Sequence, residues 1–581
     1  MTNQYPLARP LKPIAKKSEI HYPHNHLQSL LDGFVDFSGV ENCTLTFKGL
    51  SINSKKVHEE FLFLACGGVG NIPQHGIAYA GEAINFGATC VAWEPTDEVN
   101  SMPASCPVLR DHETVDVPLI QVEALHENIG EIAARFYQHP SRSLNVMGIT
   151  GTNGKTSTAH FIAQLIHAME DAAGAVKECA VIGTLGNGLY GQLEQSSHTT
   201  PDAVTLQELM AKYRDEQADT LVMEVSSHAL SQGRVNGVEF DCAILTNLTR
   251  DHLDYHGDMQ AYADEKLKLF HFSSLQQIIL NKDDLFAEKI MASINTDISE
   301  TSVVCYSRKD SSADYYADNI HLSRDGISFT LHVTEELFQK KKVQKKKVQK
   351  KKAYPIKTHL VGDFNIENLL AAIAALHVQG YALSKIVSAV KRLTVVPGRM
   401  EKIVFKKNAV TSERPLIVVD YAHTPDALEK GLSALKAHTK GKLICLFGCG
   451  GDRDKGKRPL MAKIAQQQAD QIVVTSDNPR TESATQIIED IICGFSRLDS
   501  DHSRADFKKP DFTKKLVIAI DREKAIHETL KSMNSDDVVL IAGKGHEDYQ
   551  EINGQRIPFS DKDSVISFYM NKAKRQEDNC K

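Results

Sequence analysis

LNVMGITGTNGKTS, residues 144–157, decides how the rest of the chain is read. LNVMGIT is a short apolar run with the character of a buried strand, and GTNGKTS follows it as a turn. Phe161, Leu165 and Met169 then recur at spacings of four, which predicts a helix that Lys155 and Thr156 open. The strict phosphate-loop pattern has a glycine where this chain has Ile149, with Gly148 and Gly151 to either side. The physical parts are all present. Free backbone N–H groups and a helix N-terminus suit the oxygens of a phosphate chain. Lys155 is the residue to reach the β- and γ-phosphates, and the Thr156 hydroxyl suits magnesium. A purely structural glycine turn is the alternative, and the strand before and helix after weigh against it.

Working outward, further strand-like runs are TLVMEV (220–225), CAIL (242–245) and QIIL (277–280), each ending in polar residues. Strands alternating with helical patterns predict an α/β protein with a largely parallel sheet. The rhythm restarts after PGRMEKI (397–403), with PLIVVD (415–420), KLICLF (442–447), QIVVTS (471–476), KLVIAI (515–520) and VVLIAG (538–543). The loops after them are YAHTPD, GCGGDRDKGKRP, DNPRTES, DREK and GKGHE. Ligands of open parallel sheets bind outside the carboxyl ends of the strands, so these loops are expected to face one crevice. The first 120 or so residues, with EFLFL (60–64), TCVAW (89–93) and the glycine-rich CGGVGNIPQHG (66–76), suit a smaller α/β unit.

A chain of 581 residues predicts two to four domains, and 42% hydrophobic with 24% charged residues is a globular composition. No segment is apolar enough to span a membrane, and MTNQYPLARPLKPIAKK lacks the apolar core of a secretory signal, so a cytoplasmic protein is expected. Eleven cysteines are scattered singly; even Cys445 and Cys449 lack metal or redox spacing. The net charge of −7 hides one basic block, KKKVQKKKVQKKK at 340–352, with nine lysines and no acid. Its QKKK repeat reads as an insertion (339–353) in a surface loop; a nucleic-acid or membrane patch is the other reading.

Two constellations flank the glycine-rich turn. MEVSSHALSQGR puts Glu224 at the end of a buried strand, followed by Ser226, Ser227 and His228; LTNLTRDHLDYHG puts Asn247, Asp251, His252 and His256 after the next. Carboxylate and imidazole beside a phosphate loop can ligate magnesium or position water, while packing or capping serves equally well for any one of the histidines. A buried carboxylate such as Glu224 needs a partner. Lys266 in AYADEKLKLF has no spacing argument to separate it from Lys268. In DNPR (477–480), Pro479 restricts both its own backbone and that of the residue before it, a turn suited to aiming Arg480.

Together these motifs resemble the Mur ligase family, and within it the type E branch that makes the UDP-N-acetylmuramoyl tripeptide. The resemblance runs through GTNGKTS, HTTPDA (198–203), MEVSSHALSQGR, TRDHLDYHGD, LVGDFNIENLLAA (360–372), PGRME, VDYAHTPDAL (419–428), GCGGDRDKGKRP, DNPR and GKGHE, in that order. It implies three α/β domains: residues 1–120 for UDP-MurNAc-L-Ala-D-Glu, 121–397 as the central P-loop ATPase with a mostly parallel sheet, and 398–581 as a Rossmann-like domain for the incoming amino acid. The implied reaction activates the substrate's terminal carboxyl as an acyl phosphate at the expense of ATP, and an amine then displaces phosphate to leave an amide, a step of peptidoglycan precursor synthesis. A cytoplasmic monomer that binds neither membrane nor nucleic acid is the corresponding expectation.

By motif position, the resemblance implies ATP contacts at Gly151, Thr152, Asn153, Gly154, Lys155, Thr156, Ser157 and Asn368, and sets the DYAHTPD loop (420–426) near the nucleotide. It implies magnesium ligands at Thr156, Glu224, His252 and Lys266, the last matching a lysine that carries a carbamate in the family. His198, Thr199, Thr200, Ser226, Gln232 and Arg234 match residues around the UDP-MurNAc-dipeptide, as do Ile52 and Ser54 in the first domain. There the usual DSR-x-V departs to Asn53-Ser54-Lys55-Lys56-Val57. Arg453, Asp477, Asn478, Pro479, Arg480, Gly543 and Glu547 match the amino-acid site. Branch members add meso-diaminopimelate or L-lysine. Diaminopimelate carries one more carboxylate, which a guanidinium can hold with two parallel hydrogen bonds, so Arg480 points to diaminopimelate. The opposing readings are a surface Arg480 paired with Glu482, a folylpolyglutamate-type synthetase of related ATPase centre, and an inactive P-loop scaffold that binds nucleic acid through the lysine repeat.

Overall fold

The computed structural model describes residues 25–38, 44–67, 75–110, 113–169, 177–196, 198–294, 301–323, 326–334, 350–403, 414–436, 438–495 and 515–579. Most of the lysine repeat lies outside the described residues. Its last lysines do not belong to a loop: Lys351–Thr358 is a strand, paired antiparallel with Gly326–Thr334 so that Lys351 faces Thr334 and Lys352 faces Val333. The strand alternates exposed and buried positions towards its end, and one solvated face tolerates lysine.

Three sheets succeed one another along the chain. The first has five strands in the order Gly49–Ser51, Phe61–Ala65, Ala88–Trp93, Glu113–Gln121, Ser105–Arg110. The helix Leu125–Phe136 places Leu125, Ile129, Ile132, Ala133 and Phe136 in the core of that sheet, together with Ala203 and Val204 from the next unit. That helix therefore belongs by packing to the first sheet.

The second sheet has ten strands. Its middle is parallel, with Asn145–Thr150 between Cys242–Leu245 and Thr220–Glu224. Cys242–Leu245 and Thr220–Glu224 are buried at every position, as strands covered by helices on both faces must be. Lys155–Ala168 and Phe364–Val378 cover one face; Ala203–Asp215 and Phe286–Ile294 cover the other. The expected parallel sheet is correct at its centre, while the edge strands Tyr315–Ser323, Gly326–Thr334, Lys351–Thr358 and Gly186–Leu189 pair antiparallel.

The third sheet orders its strands Glu401–Lys402, Leu416–Asp420, Val538–Ala542, Leu443–Phe447, Gln471–Val474, Leu516–Ile518. All neighbours are parallel except the first pair. The five predicted strands are all present, each shorter than predicted at one or both ends. The described cysteines are unpaired, and only Cys493 is exposed. No helix among the described residues is long and apolar enough to cross a membrane.

The carboxyl edge of the third sheet is braced by a fully buried ion pair. Arg522 donates from Nε and Nη2 to the two carboxylate oxygens of Asp561, at 2.7 and 2.8 Å, and Nη2 also donates to the Ala542 carbonyl at 2.9 Å. Both side chains are inaccessible to solvent. Removing one partner strands a buried charge, a loss of about 3–5 kcal/mol. Asp561→Ala is expected to lower the urea midpoint of the least stable transition followed by circular dichroism, and Arg522→Met/Asp561→Leu to recover most of it. An unchanged midpoint in Asp561→Ala would show that the pair does not brace this sheet.

Candidate functional site

The turn after Asn145–Thr150 needs its glycines. Gly151 sits at φ +145° and Gly154 at φ +85°; a Cβ on the first would lie 1.9 Å from Thr246 Oγ1, and on the second 2.3 Å from Asn368 Oδ1. Asn247 locks the turn from the neighbouring strand end, accepting from Asn153 N–H at 3.0 Å and donating to the Asn153 carbonyl at 3.0 Å. The helix Lys155–Ala168 begins immediately after Gly154. Lys155 Nζ bends back to donate to the carbonyls of Gly151 and Thr152, at 2.8 and 3.0 Å. Burial holds its pKa below the ordinary lysine value, against the pull of Glu224 and Asp251.

Glu224 is almost fully buried. Its carboxylate accepts from Thr156 Oγ1 at 3.0 Å, from Thr184 N–H at 2.8 Å and from Thr184 Oγ1 at 3.3 Å, and its carbonyl accepts from Thr200 Oγ1 at 2.8 Å. Thr184 meets Thr199 hydroxyl to hydroxyl at 3.1 Å. Arg234 donates to the Thr200 carbonyl and to Gln232, which makes those three one unit. Exposed His198 lies beside it, its imidazole pKa lowered by partial burial and by Arg234.

These segments open into one cleft. Thr152, Asn153, Gly154, Lys155, Thr156, Ser157, Thr199, Glu224, Ser226, His252 and Asn368 line it, with Arg399, Asp420, Tyr421, Ala422, His423 and Lys430 from the third sheet opposite. Arg399 Nη2 donates to Thr156 Oγ1 at 3.4 Å, and Asp426 accepts from Asn153 Nδ2 at 2.6 Å. Sequence reasoning missed Thr184, Arg399 and Lys430 as site residues and reached Asp426 only as the end of the DYAHTPD loop. PGRME contained the signal for Arg399, Lys430 lies two residues beyond YAHTPDAL, and Thr184 has no signal, because only the fold brings it to Glu224.

His252, at φ +55°, enters the cleft with Asp251 3.4 Å away and the His228 ring 4.9 Å away. Desolvation, with Lys155 and Lys266 nearby, pushes its pKa down to about 4. Lys266 lies beneath the glycine-rich turn, where Nζ donates to the Gly151 carbonyl at 3.1 Å and sits 4.6 Å from the centre of the Tyr262 ring. It is buried, and desolvation together with Lys155 holds its pKa far below the ordinary lysine value. Lys268, by contrast, is exposed and paired with Glu265.

The strand-end loops of the third sheet form a second cluster. Arg480 is not paired with Glu482. Glu482 is taken by the wholly buried Arg458, at 2.9 Å, while Arg480 Nε lies 3.2 Å from Glu551 and Nη1 donates to the Gly451 carbonyl at 2.8 Å. Arg480 itself is left-handed, at φ +52°. Lys544 Nζ, fully buried, donates to Asn478 Oδ1 at 2.9 Å and Glu547 Oε2 at 3.1 Å, and lies 3.6 Å from Asp477. Asn478 Nδ2 donates to Glu547 at 2.7 Å, and Gly543 packs so closely that a Cβ there would lie 3.1 Å from Asp477. Gly451 N–H donates to the Asn478 carbonyl, which brings the loop carrying exposed Arg453 alongside Pro479. The seven residues expected here are thus gathered around adjoining loops, and Lys544, Arg458 and Glu551 are members the motif reading did not name. The cluster adjoins the cleft through Tyr421, whose ring is 5.5 Å from that of His546. Ser54, buried and hydrogen-bonded to Glu82 at 2.5 Å, and half-exposed Ile52 remain apart, in the first sheet.

Comparison with known proteins agrees with this layout. The Mur ligase middle domain matches residues 149–376, and the Mur ligase, glutamate ligase domain matches residues 398–545. A UDP-N-acetylmuramoyl-L-alanyl-D-glutamate--2,6-diaminopimelate ligase of Pseudomonas syringae pv. tomato is 43% identical over 512 residues, 88% of this chain and 93% of the relative. The protein of the same name from Xanthomonas campestris pv. campestris is 40% identical over 88% of this chain and 92% of its own. A solved structure of a ligase of that name superposes with a TM-score of 0.61 at 33% identity, over 94% of this chain and 99% of the other. A folylpolyglutamate synthase of Mycobacterium tuberculosis shares the fold at 16% identity, with a TM-score of 0.54 over 72% of this chain and 92% of its own. From the glycine-rich turn to the GKGHE loop, the chain belongs to the Mur ligase family.

Proposed function

We propose that the protein is an ATP-dependent ligase that joins meso-diaminopimelate to UDP-MurNAc-L-Ala-D-Glu through an acyl phosphate, in peptidoglycan precursor synthesis. The nucleotide occupies the cleft of Gly151, Thr152, Asn153, Gly154, Lys155, Thr156, Ser157 and Asn368. The dipeptide's carboxylate approaches from Thr199, Thr200, Ser226, Gln232 and Arg234, and the sugar nucleotide extends towards His198, Ser54 and Ile52. Units near 1–120, 121–397 and 398–581 carry the three substrates, with the helix Leu125–Phe136 as the packed joint between the first two.

Lys155 supplies a positive charge where negative charge accumulates on the transferring phosphoryl group, and Arg399 reaches the same place from the opposite wall. The carboxylate oxygen takes the γ-phosphoryl group of ATP as ADP leaves, the amine attacks the carbonyl carbon, and phosphate leaves as the amine loses a proton. Magnesium suits hard oxygen ligands, one or two carboxylates plus phosphates. Thr156 and Glu224, in contact at 3.0 Å, fit that role. Such an ion would neutralise phosphate charge, with His252 on the same wall.

Carbamate formation needs an uncharged amine to attack carbon dioxide, and burial of Lys266 shifts its amine towards that form. The product, an anion, would add an oxygen ligand where the lysine now lies. Lys266→Ala is expected to lose most activity and to regain part of it in added short carboxylates, and labelled carbon dioxide is expected to give a carbamate carbon resonance that this variant lacks. Full activity without rescue, or an unchanged resonance, would remove the carbamate.

The observation that carries the choice of amino acid is Arg480, most of it buried, at the head of the Asn478, Lys544 and Glu547 cluster. L-lysine would leave that guanidinium without its carboxylate, and a site built around a polar partner rejects the analogue lacking it by roughly 10⁴-fold. Folylpolyglutamate synthase shares only the fold, over 72% of this chain. Phosphate release with UDP-MurNAc-L-Ala-D-Glu is expected with meso-diaminopimelate and far less with L-lysine; equal rates would overturn the assignment. Arg480→Ala is expected to lower kcat/KM for diaminopimelate by about 10²-fold or more, with nucleotide affinity unchanged.

A further inference from the structure

Arg480 is held from behind by a hairpin that no motif of the chain singled out. The strands Tyr549–Ile552 and Gln555–Pro558 form a two-stranded antiparallel sheet after the GKGHE loop. Arg480 N–H donates to the Glu551 carbonyl at 2.9 Å, and the Arg480 carbonyl accepts from Asn553 N–H at 2.7 Å. Arg480 thereby pairs with Ile552 in parallel fashion, and this pairing fixes a left-handed backbone that an L-residue rarely adopts. Two further bonds join the same segments: Gln550 Nε2 donates to the Asp477 carbonyl at 2.8 Å, and Glu551 N–H donates to Asn478 Oδ1 at 3.0 Å.

The hairpin also grips the guanidinium. Glu551 Oε2 is 3.2 Å from Arg480 Nε, and the side chains are only 28% and 20% exposed, so the pair is not freely solvated. A guanidinium has five N–H donors in a rigid plane. Glu551 and the Gly451 carbonyl engage the Nε edge and Nη1, which fixes the plane and leaves donors for one more carboxylate.

We propose that Glu551 is a positioning residue of the amino-acid site, which sets the orientation of Arg480 and hence the affinity for an amine substrate with a distal carboxylate. The inference rests on the reading of Arg480 given under Proposed function. It excludes two simpler roles. A merely structural Glu551 would act on the whole third sheet, and a placeholder displaced by substrate would weaken binding, so that its removal would lower KM.

The test is steady-state phosphate release by the full-length enzyme with UDP-MurNAc-L-Ala-D-Glu and meso-diaminopimelate, for Glu551→Ala and Glu551→Gln. Loss of a hydrogen bond to a charged group predicts a KM for diaminopimelate raised about tenfold or more in Glu551→Ala. The KM for ATP and kcat are expected to stay near their original values. Glu551→Gln, whose amide oxygen still accepts from Nε, is expected to recover most of the loss. In an Arg480→Ala background, Glu551→Ala is expected to change nothing further. An unchanged or lowered KM, equal loss with L-lysine, or additive effects in the double variant would each overturn the proposal. A parent enzyme that shows no preference for diaminopimelate over L-lysine would instead overturn the reading of Arg480 itself.

Discussion

One buried carboxylate organises the centre of this protein. Glu224 ends a strand that is covered on both faces, where an unpaired charge is costly. It is satisfied by the hydroxyl that opens the phosphate-loop helix, by the Thr184 backbone and by the Thr184 hydroxyl. Its own carbonyl anchors Thr200, from which Arg234 and Gln232 are built. The phosphate-loop side and the Thr200–Arg234 side of the cleft are thus positioned by opposite ends of one residue. A misplaced Glu224 would shift both, and for a reaction that depends on in-line alignment of two substrates, small shifts are large losses.

The third sheet solves a different problem. Its strand-end loops must hold several charges of both signs close together without collapse onto each other. Lys544 sits among Asp477, Asn478 and Glu547, Arg458 is sealed between Glu482 and Asp490, and Arg522 is matched oxygen for nitrogen by Asp561. Each buried cation has its acid, so the loops keep their separation. The crevice that results faces the phosphate loop across Arg399 and Asp426, which reach Thr156 and Asn153 from the other domain.

Much of this was legible in the chain itself. Apolar runs bounded by polar loops located the central strands to within a residue or two, because a strand buried on both faces must be apolar throughout. The glycine-rich turn was legible for a similar reason, since only glycine tolerates φ +145° with a hydroxyl where its Cβ would be. Three things were not. Lys266 and Lys268 are two residues apart at the end of the helix Met259–Leu267 and alike in chemistry, yet one is buried against the turn and the other is exposed. Arg480 had Glu482 two residues away as an obvious partner and takes Glu551 instead, because Arg458 already occupies Glu482. The lysine repeat read as loop throughout, but its end enters an edge strand that asks only for alternation.

The sequence by itself determined the α/β architecture, the phosphate loop, and the order of strand-end loops in which a ligand site must lie. These follow from local rules: burial on both faces, the conformational freedom of glycine, and helix termini with open N–H groups. Tertiary structure alone decided the pairings: which lysine loses its solvent, which acid holds Arg480, and which threonine meets Glu224. The physical reason is that desolvation and ion pairing depend on distances between segments tens or hundreds of residues apart, and spacing along the chain contains no record of them.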